Sequence, residues 1–272
     1  MSDLLRLTSG DVRAVVDPRR GGRIAELWVA GVQLLVTEQE AGGDPLGWGW
    51  YPMVPFAGRI RGGEFTFAGQ RWRLPAVVGG HALHGYGYLS PWEQVDDNTL
   101  ELVLGSPWPF RGSVRQQFTV HPDGVTVVME VRAQDRQPVS LGWHPWFRRR
   151  CDGGARLSLD VSPGRMYELD ESDIPTGRLI TPPRGPWDNC FVELAAAPRL
   201  RWDNGVEISL DSSCDHWVIY DRPEHALCIE PQTEAPDAVN RDPVVVVGGD
   251  RFVHSMSVTV LGRPEGPTGP TG

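Results

Sequence analysis

Four short segments of the chain carry side chains that can move protons or bind hydroxyl groups. They are residues 52–63 with Arg59, residues 81–87 with His84, residues 141–147 with His144, and residues 228–233 with Glu230. Proline or glycine brackets each segment, which is typical of a strand end whose backbone is held in place. An imidazole that faces a carboxylate suits general acid–base catalysis near neutral pH. The residue types therefore predict proton-transfer chemistry if the fold brings these segments together.

Each of these side chains also has a structural interpretation. A single loop histidine more often forms a structural hydrogen bond than a catalytic one, and Glu230 could be an ordinary strand-end carboxylate. His81 and His84 stand three residues apart, a spacing that suits metal ligands on a helix, but they lie in a glycine-rich loop. We therefore predict no metal site.

The aromatic content adds a second indication. Eleven tryptophans are more than a chain of 272 residues usually has, and Trp143 and Trp146 flank His144. Tryptophan rings stack on the apolar faces of pyranose rings while neighbouring polar groups bind the hydroxyls. Because most tryptophans are core residues, only the combination with arginine, histidine and carboxylate favours a sugar.

Composition excludes several classes of function and predicts a compartment. All 26 basic residues are arginine, so Schiff-base chemistry, pyridoxal phosphate anchoring and a P-loop, which need lysine, are excluded. The net charge of −9 disfavours nucleic acid as a partner, and residues 148–150, all arginine, are too few for a binding tract. No signal peptide or membrane span is recognisable. With four scattered cysteines, this predicts a cytoplasmic protein with reduced thiols.

Strands are the elements that must position the four segments. Apolar and polar residues alternate over residues 100–104, 114–120, 125–131, 157–161, 206–210 and 255–260. Asp-Gly and Asn-Gly pairs predict hairpin turns at residues 122–124 and 203–205, and residues 65–72 predict another hairpin. A short helix is predicted over residues 191–197.

Many short strands at regular spacing predict an all-β fold, a large antiparallel sandwich or barrel. No stretch has the composition of a linker, so we predict one domain over residues 1–263. Residues 264–272 are rich in glycine, proline and threonine, with too few triplets for a collagen helix. This tail is predicted to be disordered.

Five segments, in this order, resemble the motifs of the aldose 1-epimerase (galactose mutarotase) family. Residues 55–65 resemble N-R-I-x-x-G-x-F, 81–85 L-H-G, 142–147 G-x-H-P-Y-F, 187–191 D-x-x-F and 226–231 L-x-x-E-P. Each motif alone is weakly specific, whereas five in the right order are specific. Two positions depart from the family pattern. Gly58 replaces an asparagine and Tyr86 replaces a glycine, so sugar contacts near both are expected to differ.

The resemblance implies a large antiparallel β-sandwich with an open sugar-binding cleft and no cofactor, and it implies a small aldose as the partner. It further implies that Glu230 is the general base, that His144 is the general acid, and that His84 is a second polar group at the ring oxygen. The predicted substrate-binding residues are Arg59, Asp188, Trp143 and Trp146.

The activity that the resemblance implies is interconversion of the α and β anomers of a hexose. Two alternatives stay open. A hexose-6-phosphate 1-epimerase of the same fold needs a cationic pocket, for which Arg61 or residues 148–150 are candidates. A sugar-binding module without turnover needs no matched acid and base. The sequence does not distinguish between sugars, or between a monomer and a homodimer.

Overall fold

The computed structural model describes residues 4–264, and strands dominate this part of the chain. In chain order the strands are β1 (Leu5–Ser9), β2 (Val12–Asp17), β3 (Arg23–Val29), β4 (Val32–Gln33), β5 (Trp50–Met53), β6 (Arg59–Ile60), β7 (Glu64–Phe67), β8 (Gln70–Arg73), β9 (Ala82–Leu83), β10 (Glu93–Asp96), β11 (Thr99–Leu104), β12 (Gly112–His121), β13 (Gly124–Ala133), β14 (Gln137–Pro138), β15 (Gly142–Arg148), β16 (Leu157–Asp160), β17 (Arg165–Leu169), β18 (Pro175–Ile180), β19 (Asp188–Val192), β20 (Arg199–Trp202), β21 (Glu207–Ser212), β22 (His216–Tyr220), β23 (Ala226–Gln232), β24 (Val245–Val246) and β25 (Arg251–Gly262). Helical structure within residues 4–264 is limited to four 3-10 turns, at Arg61–Gly63, Gly87–Leu89, Asp152–Gly154 and Ala238–Asn240.

Two large antiparallel sheets form the architecture. The first has eleven strands in the order β1-β2-β3-β5-β15-β23-β22-β19-β17-β18, with β4 beside β3. The second has eight strands in the order β10-β11-β12-β13-β25-β21-β20-β16. Leu27 and Phe147 of the first sheet and Val127 and Met256 of the second belong to one buried apolar cluster. The prediction of an all-β antiparallel sandwich is therefore confirmed.

The predicted hairpins form, and the predicted helix does not. Residues 122–124 join β12 to β13, residues 203–205 join β20 to β21, and β7 pairs with β8. The helix predicted over residues 191–197 is wrong, because β19 runs to Val192 and pairs Phe191 with Trp217 of β22. Phe191 is fully buried there, and this tertiary contact outweighs the weak local preference for a helix.

The two remaining predictions about organisation stay untested. The predicted tail falls outside the described residues except for Pro264, and the single domain over residues 1–263 stays a prediction. No helix within residues 4–264 is long and apolar enough to cross a membrane.

Two central strands of the first sheet, β15 and β23, are buried on both faces. Side chains alternate across a strand, so Trp143 and Phe147 of β15 and Leu227 and Ile229 of β23 enter the main core. The alternate side chains of both strands lie on the opposite face. Because strands with two buried faces are held by packing on both, this face is a rigid floor for a site.

A glycine next to this floor has no room for a side chain. Gly85 has φ +69°, and a Cβ atom there would lie 2.1 Å from the carbonyl oxygen of Val54. That oxygen already accepts hydrogen bonds from the backbone N–H groups of Tyr86 and Gly87. Gly69, in the β7–β8 hairpin, also has a positive φ, +78°, but no atom lies within 4 Å of the place that its Cβ atom would take. A side chain at residue 69 would therefore be strained by the backbone conformation without a steric clash.

We expect Gly85→Ala to destabilise the protein by about 3 kcal/mol, because left-handed strain and a backbone clash add together. Gly69→Ala, which carries the strain alone, is expected to cost about 1 kcal/mol. Urea unfolding of both variants measures the difference. Equal losses would show that the close approach of residue 85 to Val54 does not restrict the backbone.

Candidate active site

The site is built around a contact between His144 and Glu230. Gly142 pairs with Gln232 and Trp146 with Cys228, so the register of β15 and β23 places His144 across from Glu230. The Nε2 atom of His144 lies 3.1 Å from Oε1 of Glu230, and the two side chains are only 6% and 3% exposed. An imidazole and a carboxyl group are thus in direct contact inside the protein.

Two aromatic rings enclose the imidazole of His144. Tyr51, which pairs with His144 from β5, stacks on one side with 4.7 Å between ring centroids and 24° between planes. Trp146 stacks on the other side at 5.3 Å and 12°. This packing leaves the ring little freedom to change its rotamer, so Nε2 keeps its position beside Glu230.

His84 approaches the same point from a loop. Its backbone has φ +57°, and its Nδ1 accepts a hydrogen bond from the backbone N–H of Gly58 at 3.2 Å. A neutral imidazole whose Nδ1 is an acceptor carries its proton on Nε2. His84 therefore offers an N–H donor, and its ring lies edge-on to that of His144 with centroids 5.2 Å apart.

Arg59 and Asp188 form a second polar pair beside the first. An Nη atom of Arg59 lies 3.9 Å from a carboxylate oxygen of Asp188, with both side chains about one-fifth exposed. Asp237 holds the backbone of the Arg59 segment, since its N–H donates to the carbonyl of Arg59 and its Oδ1 accepts from the N–H of Arg61. Arg222 reaches Asp188 from the surface at 4.0 Å.

These side chains line one open cleft of about 240 Å³. The cleft brings together six of the seven residues predicted from the sequence, namely Arg59, His84, His144, Trp146, Asp188 and Glu230. Its floor comes from strands of the first sheet, while Asp44, Leu46, Gly47, Val78 and Pro236 form its rim from connecting segments.

Trp143, the seventh residue, lies elsewhere. It is 1% exposed and belongs to the main core, because it precedes His144 on β15 and points to the other face of the strand. Its indole therefore has no surface in the cleft. The departure at Tyr86 also lies outside the cleft lining, where the Tyr86 ring packs edge-on against Phe56.

Sequence reasoning missed several residues of the cleft. Tyr51, Tyr220 and Gln232 line it, and none of them was predicted. A signal for Gln232 was present, since it stands two residues after Glu230 on a strand and must share its face. Tyr51 carried no comparable signal, because its pairing with β15 is a long-range property of the fold.

Burial sets the electrostatics of the site. Desolvation, with a smaller contribution from Asp188, raises the pKa of Glu230 well above its usual value, while Arg59 opposes this shift. Desolvation, with contributions from His84 and Arg23, lowers the pKa of His144 well below its usual value. Both shifts favour neutral groups. The two shifts therefore favour a contact between two neutral groups over a permanent ion pair.

Burial affects the two flanking groups in the same way. Desolvation, reinforced by the positive charge of Arg59, lowers the pKa of His84 to about 3. His84 is therefore a neutral donor throughout the physiological range. Desolvation raises the pKa of Asp188, and the charges of Arg59 and Arg222 oppose that effect.

The donor atoms of His84, His144 and Glu230 lie within 4.8 Å of one another, as in sites that hold a metal ion. The hydrogen bond that His84 accepts from Gly58 conflicts with metal binding. It occupies Nδ1 of His84 and leaves the proton of the ring on Nε2, so neither nitrogen is free as a ligand. Ligation by His84 would break that bond. His81, the other histidine considered as a ligand, is not in the group and accepts a hydrogen bond from the N–H of Gly62.

Comparison with known proteins shows what this chain resembles. A family model described as aldose 1-epimerase matches residues 3–243. The chain is 30% identical over 248 residues to the Escherichia coli K12 protein YphB, described as uncharacterized, covering 77% of this chain and 83% of YphB. It is 28% identical over 135 residues to galactose mutarotase of Sus scrofa, covering 45% of this chain and 40% of that protein.

Solved structures share the fold at low sequence identity. A galactose mutarotase-like protein from Clostridium acetobutylicum superposes with a TM-score of 0.82 at 15% identity, over 95% of each chain. Galactose 1-epimerase from Lactobacillus acidophilus superposes with a TM-score of 0.77 at 13% identity, over 96% of this chain and 95% of the other. These matches establish the architecture of the two sheets.

The lowered pKa of His84 predicts a specific loss of stability in acid. The unfolded chain binds a proton at this residue below pH 6.5, whereas the folded chain does so only near pH 3. The contribution of His84 to the free energy of unfolding therefore falls by about 1.4 kcal/mol per pH unit between those values. In His84→Asn, where asparagine tolerates positive φ and can accept from Gly58, we expect this contribution to the slope to disappear.

Urea unfolding of the two proteins at pH 7, 5 and 4 measures the difference. The stability of the wild type relative to His84→Asn should decrease as the pH falls. A constant difference across this range would mean that His84 is protonated in the folded protein.

Proposed function

Because this chain belongs to the aldose 1-epimerase family, we propose that it interconverts the α and β anomers of a free aldose, with Glu230 as general base and His144 as general acid. The observation that carries the proposal is the buried contact of 3.1 Å between Nε2 of His144 and Oε1 of Glu230 in an open cleft. A cleft of about 240 Å³ can contain a single pyranose ring.

The geometry suits the chemistry of anomer exchange. The carboxylate of Glu230 removes the proton of the O1 hydroxyl while His144 donates a proton to the ring oxygen, so that the C1–O5 bond breaks and the aldehyde forms. Rotation about the C1–C2 bond and reversal of both transfers close the other anomer. Because O1 and O5 are bonded to the same carbon, the acid and the base must be neighbours, as these two side chains are.

The neutral pair needs only an internal shift to become active. Its one proton lies on the carboxyl group, since burial favours the neutral forms of both side chains. Moving that proton to Nε2 of His144 creates the carboxylate and the imidazolium together, without exchange with solvent. The hydroxyl and ring oxygen of a bound sugar then separate the two groups and stabilise each charge by hydrogen bonding.

The other cleft residues suit binding and orientation. The fixed Nε2–H of His84 is suited to donate a hydrogen bond to the ring oxygen. His144 is in contact with Glu230 at 3.1 Å, and this contact supports His144, rather than His84, as the acid. Arg59 and Asp188 offer a donor and an acceptor for sugar hydroxyls, and Trp146 offers an apolar wall.

The charges of the cleft favour a neutral sugar over a sugar phosphate. Arg59 is the only arginine among the described residues that line the cleft. Arg61 is paired with Asp170, and the guanidinium of Arg149 donates to the backbone carbonyls of residues 221, 223 and 226. Polarimetry of fresh α-D-glucose, α-D-galactose and glucose 6-phosphate, with and without protein, tests this preference. It also separates an enzyme from a sugar-binding module, which leaves every rate unchanged.

Glu230→Gln is expected to lower kcat at least 100-fold while sugar binding is retained, because the amide keeps the shape but cannot accept the O1 proton. Glu234→Gln is the matched control. Glu234 also has a raised pKa, about 7, mainly from burial, but it lies outside the cleft lining, so we expect its activity to be unchanged. Retention of half of the wild-type kcat by Glu230→Gln would remove this residue from the mechanism.

The shared proton also predicts the pH dependence of kcat/KM. Activity falls in acid when the pair takes up a second proton and falls in alkali when it loses its only one. Because the pKa of His144 is lowered and that of Glu230 is raised, the acid limb should lie below the usual pKa of a histidine and the alkaline limb above the usual pKa of a glutamic acid. An acid limb centred at about pH 6.5 would mean that His144 titrates as an ordinary histidine.

The two histidine variants should differ in the same experiment. His144→Gln has no proton to donate, so we expect it to lose most of kcat and to keep a residual activity that rises with pH as Glu230 ionises. His84→Asn should keep the shape of the wild-type profile at lower amplitude. The reverse pattern in the two variants would exchange their roles.

A further inference from the structure

Gln232 is a buried amide on the floor of the cleft that the proton transfers do not use. It ends β23, two residues after Glu230 and on the same face of the strand. It is completely buried and lines the cleft that contains His144 and Glu230. A buried amide is costly unless both its donors and its acceptor are satisfied, so its hydrogen bonds need an account.

The amide of Gln232 is satisfied on one side only. Its Nε2 donates to the Sγ atom of Cys190 at 3.7 Å, on β19, the strand beyond β22 in the same sheet. Its Oε1 is buried and has no hydrogen-bond partner among the described residues. With the amide nitrogen bound to the sulfur, the carbonyl acceptor of Gln232 is left unused.

We propose that Gln232 is a specificity residue, whose Oε1 accepts a hydrogen bond from a substrate hydroxyl other than O1. This inference rests on the proposed function, since it takes the substrate to be an aldose bound with its anomeric centre at Glu230. A site with a buried acceptor rejects an analogue that lacks the matching hydroxyl, because the acceptor is then left unpaired.

The neighbouring groups make this role distinct from those already described. Arg59 is a cationic donor, Asp188 a charged acceptor, and His84 a neutral N–H donor. Gln232 adds a neutral acceptor held by a rigid strand, so its interaction with a hydroxyl does not depend on pH or on salt. Discrimination between sugars that differ at one hydroxyl is a task that such a group suits.

The test is a double-mutant-type cycle, in which one change is made in the protein, at Gln232, and the other in the sugar, at one hydroxyl at a time. Gln232→Met keeps the length of the side chain and removes the amide. Equilibrium binding of the parent aldose and of its monodeoxy analogues, followed by ligand-observed NMR, is compared for the wild type and this variant. We expect Gln232→Met to weaken binding of the parent sugar about 10-fold. One deoxy analogue should bind the wild type about as weakly as the parent sugar binds Gln232→Met. The substitution should not weaken the binding of that analogue any further.

Two comparisons secure the interpretation. Gln116→Met is the control, since Gln116 is also buried but donates to the carbonyl of Gly22 beside the other sheet, and we expect its sugar binding to match the wild type. If Gln232→Met does not fold, Gln232→Asn replaces it, because it keeps the amide and withdraws it by one methylene. The same single deoxy analogue should then be less affected by Gln232→Asn than the parent sugar and the other analogues are.

Equal weakening of all analogues by Gln232→Met or by Gln232→Asn would overturn the proposal, since it would reflect a general effect on the cleft. Retained binding of a deoxyfluoro analogue, which can accept but not donate, would overturn the assignment of Oε1 as the acceptor. The outcome for the proposed function is separate. A wild type that binds sugars but leaves anomer exchange unchanged contradicts catalysis, whereas the cycle still tests Gln232.

Discussion

The register between β15 and β23 is the constraint on which the site depends. A slip of one residue would bring Trp143 and Ile229 to the cleft and send His144 and Glu230 into the apolar core. Two features hold this register near its end. Gly142 approaches the chain of β23 so closely that a Cβ atom would lie 2.6 Å from the carbonyl oxygen of Pro231. Beyond it, the hydroxyl and the N–H of Thr233 both bond to the backbone of Leu141.

Burial then determines the chemistry that the register makes possible. An exposed glutamate and histidine would be ionised independently near neutral pH, whereas in the cleft they compete for one proton. Arg23 contributes to the lowered pKa of His144. Its buried guanidinium lies over the rings of Trp48 and Tyr51 and donates to three backbone carbonyls, so a fixed positive charge disfavours a second one on His144. The same packing that stabilises the floor thus adjusts its ionisation.

The sequence predicted the polar residues of the site better than it predicted their surroundings. His84, His144 and Glu230 could be identified because the signal is contained in short segments of the chain. It consists of the residue types and of the glycine and proline residues next to them. Strand alternation could also have excluded Trp143, since it must face away from its neighbour His144. The stacking of Tyr51 on His144 could not be predicted, because it depends on which strands are neighbours in an eleven-stranded sheet. The pKa shifts could not be predicted either, since burial is a property of the folded chain.

The division of the cleft between a strand floor and a loop rim has a consequence for how such a protein can diversify. An insertion in β15 or β23 would change the facing of every later side chain in that strand, whereas lengthening a surface loop costs little free energy. The rim segments around Asp44, Val78 and Pro236 can therefore vary in length and composition while the reacting pair stays in place. New ligand preferences are then most accessible, to evolution or to an engineer who grafts loops, through these three connections.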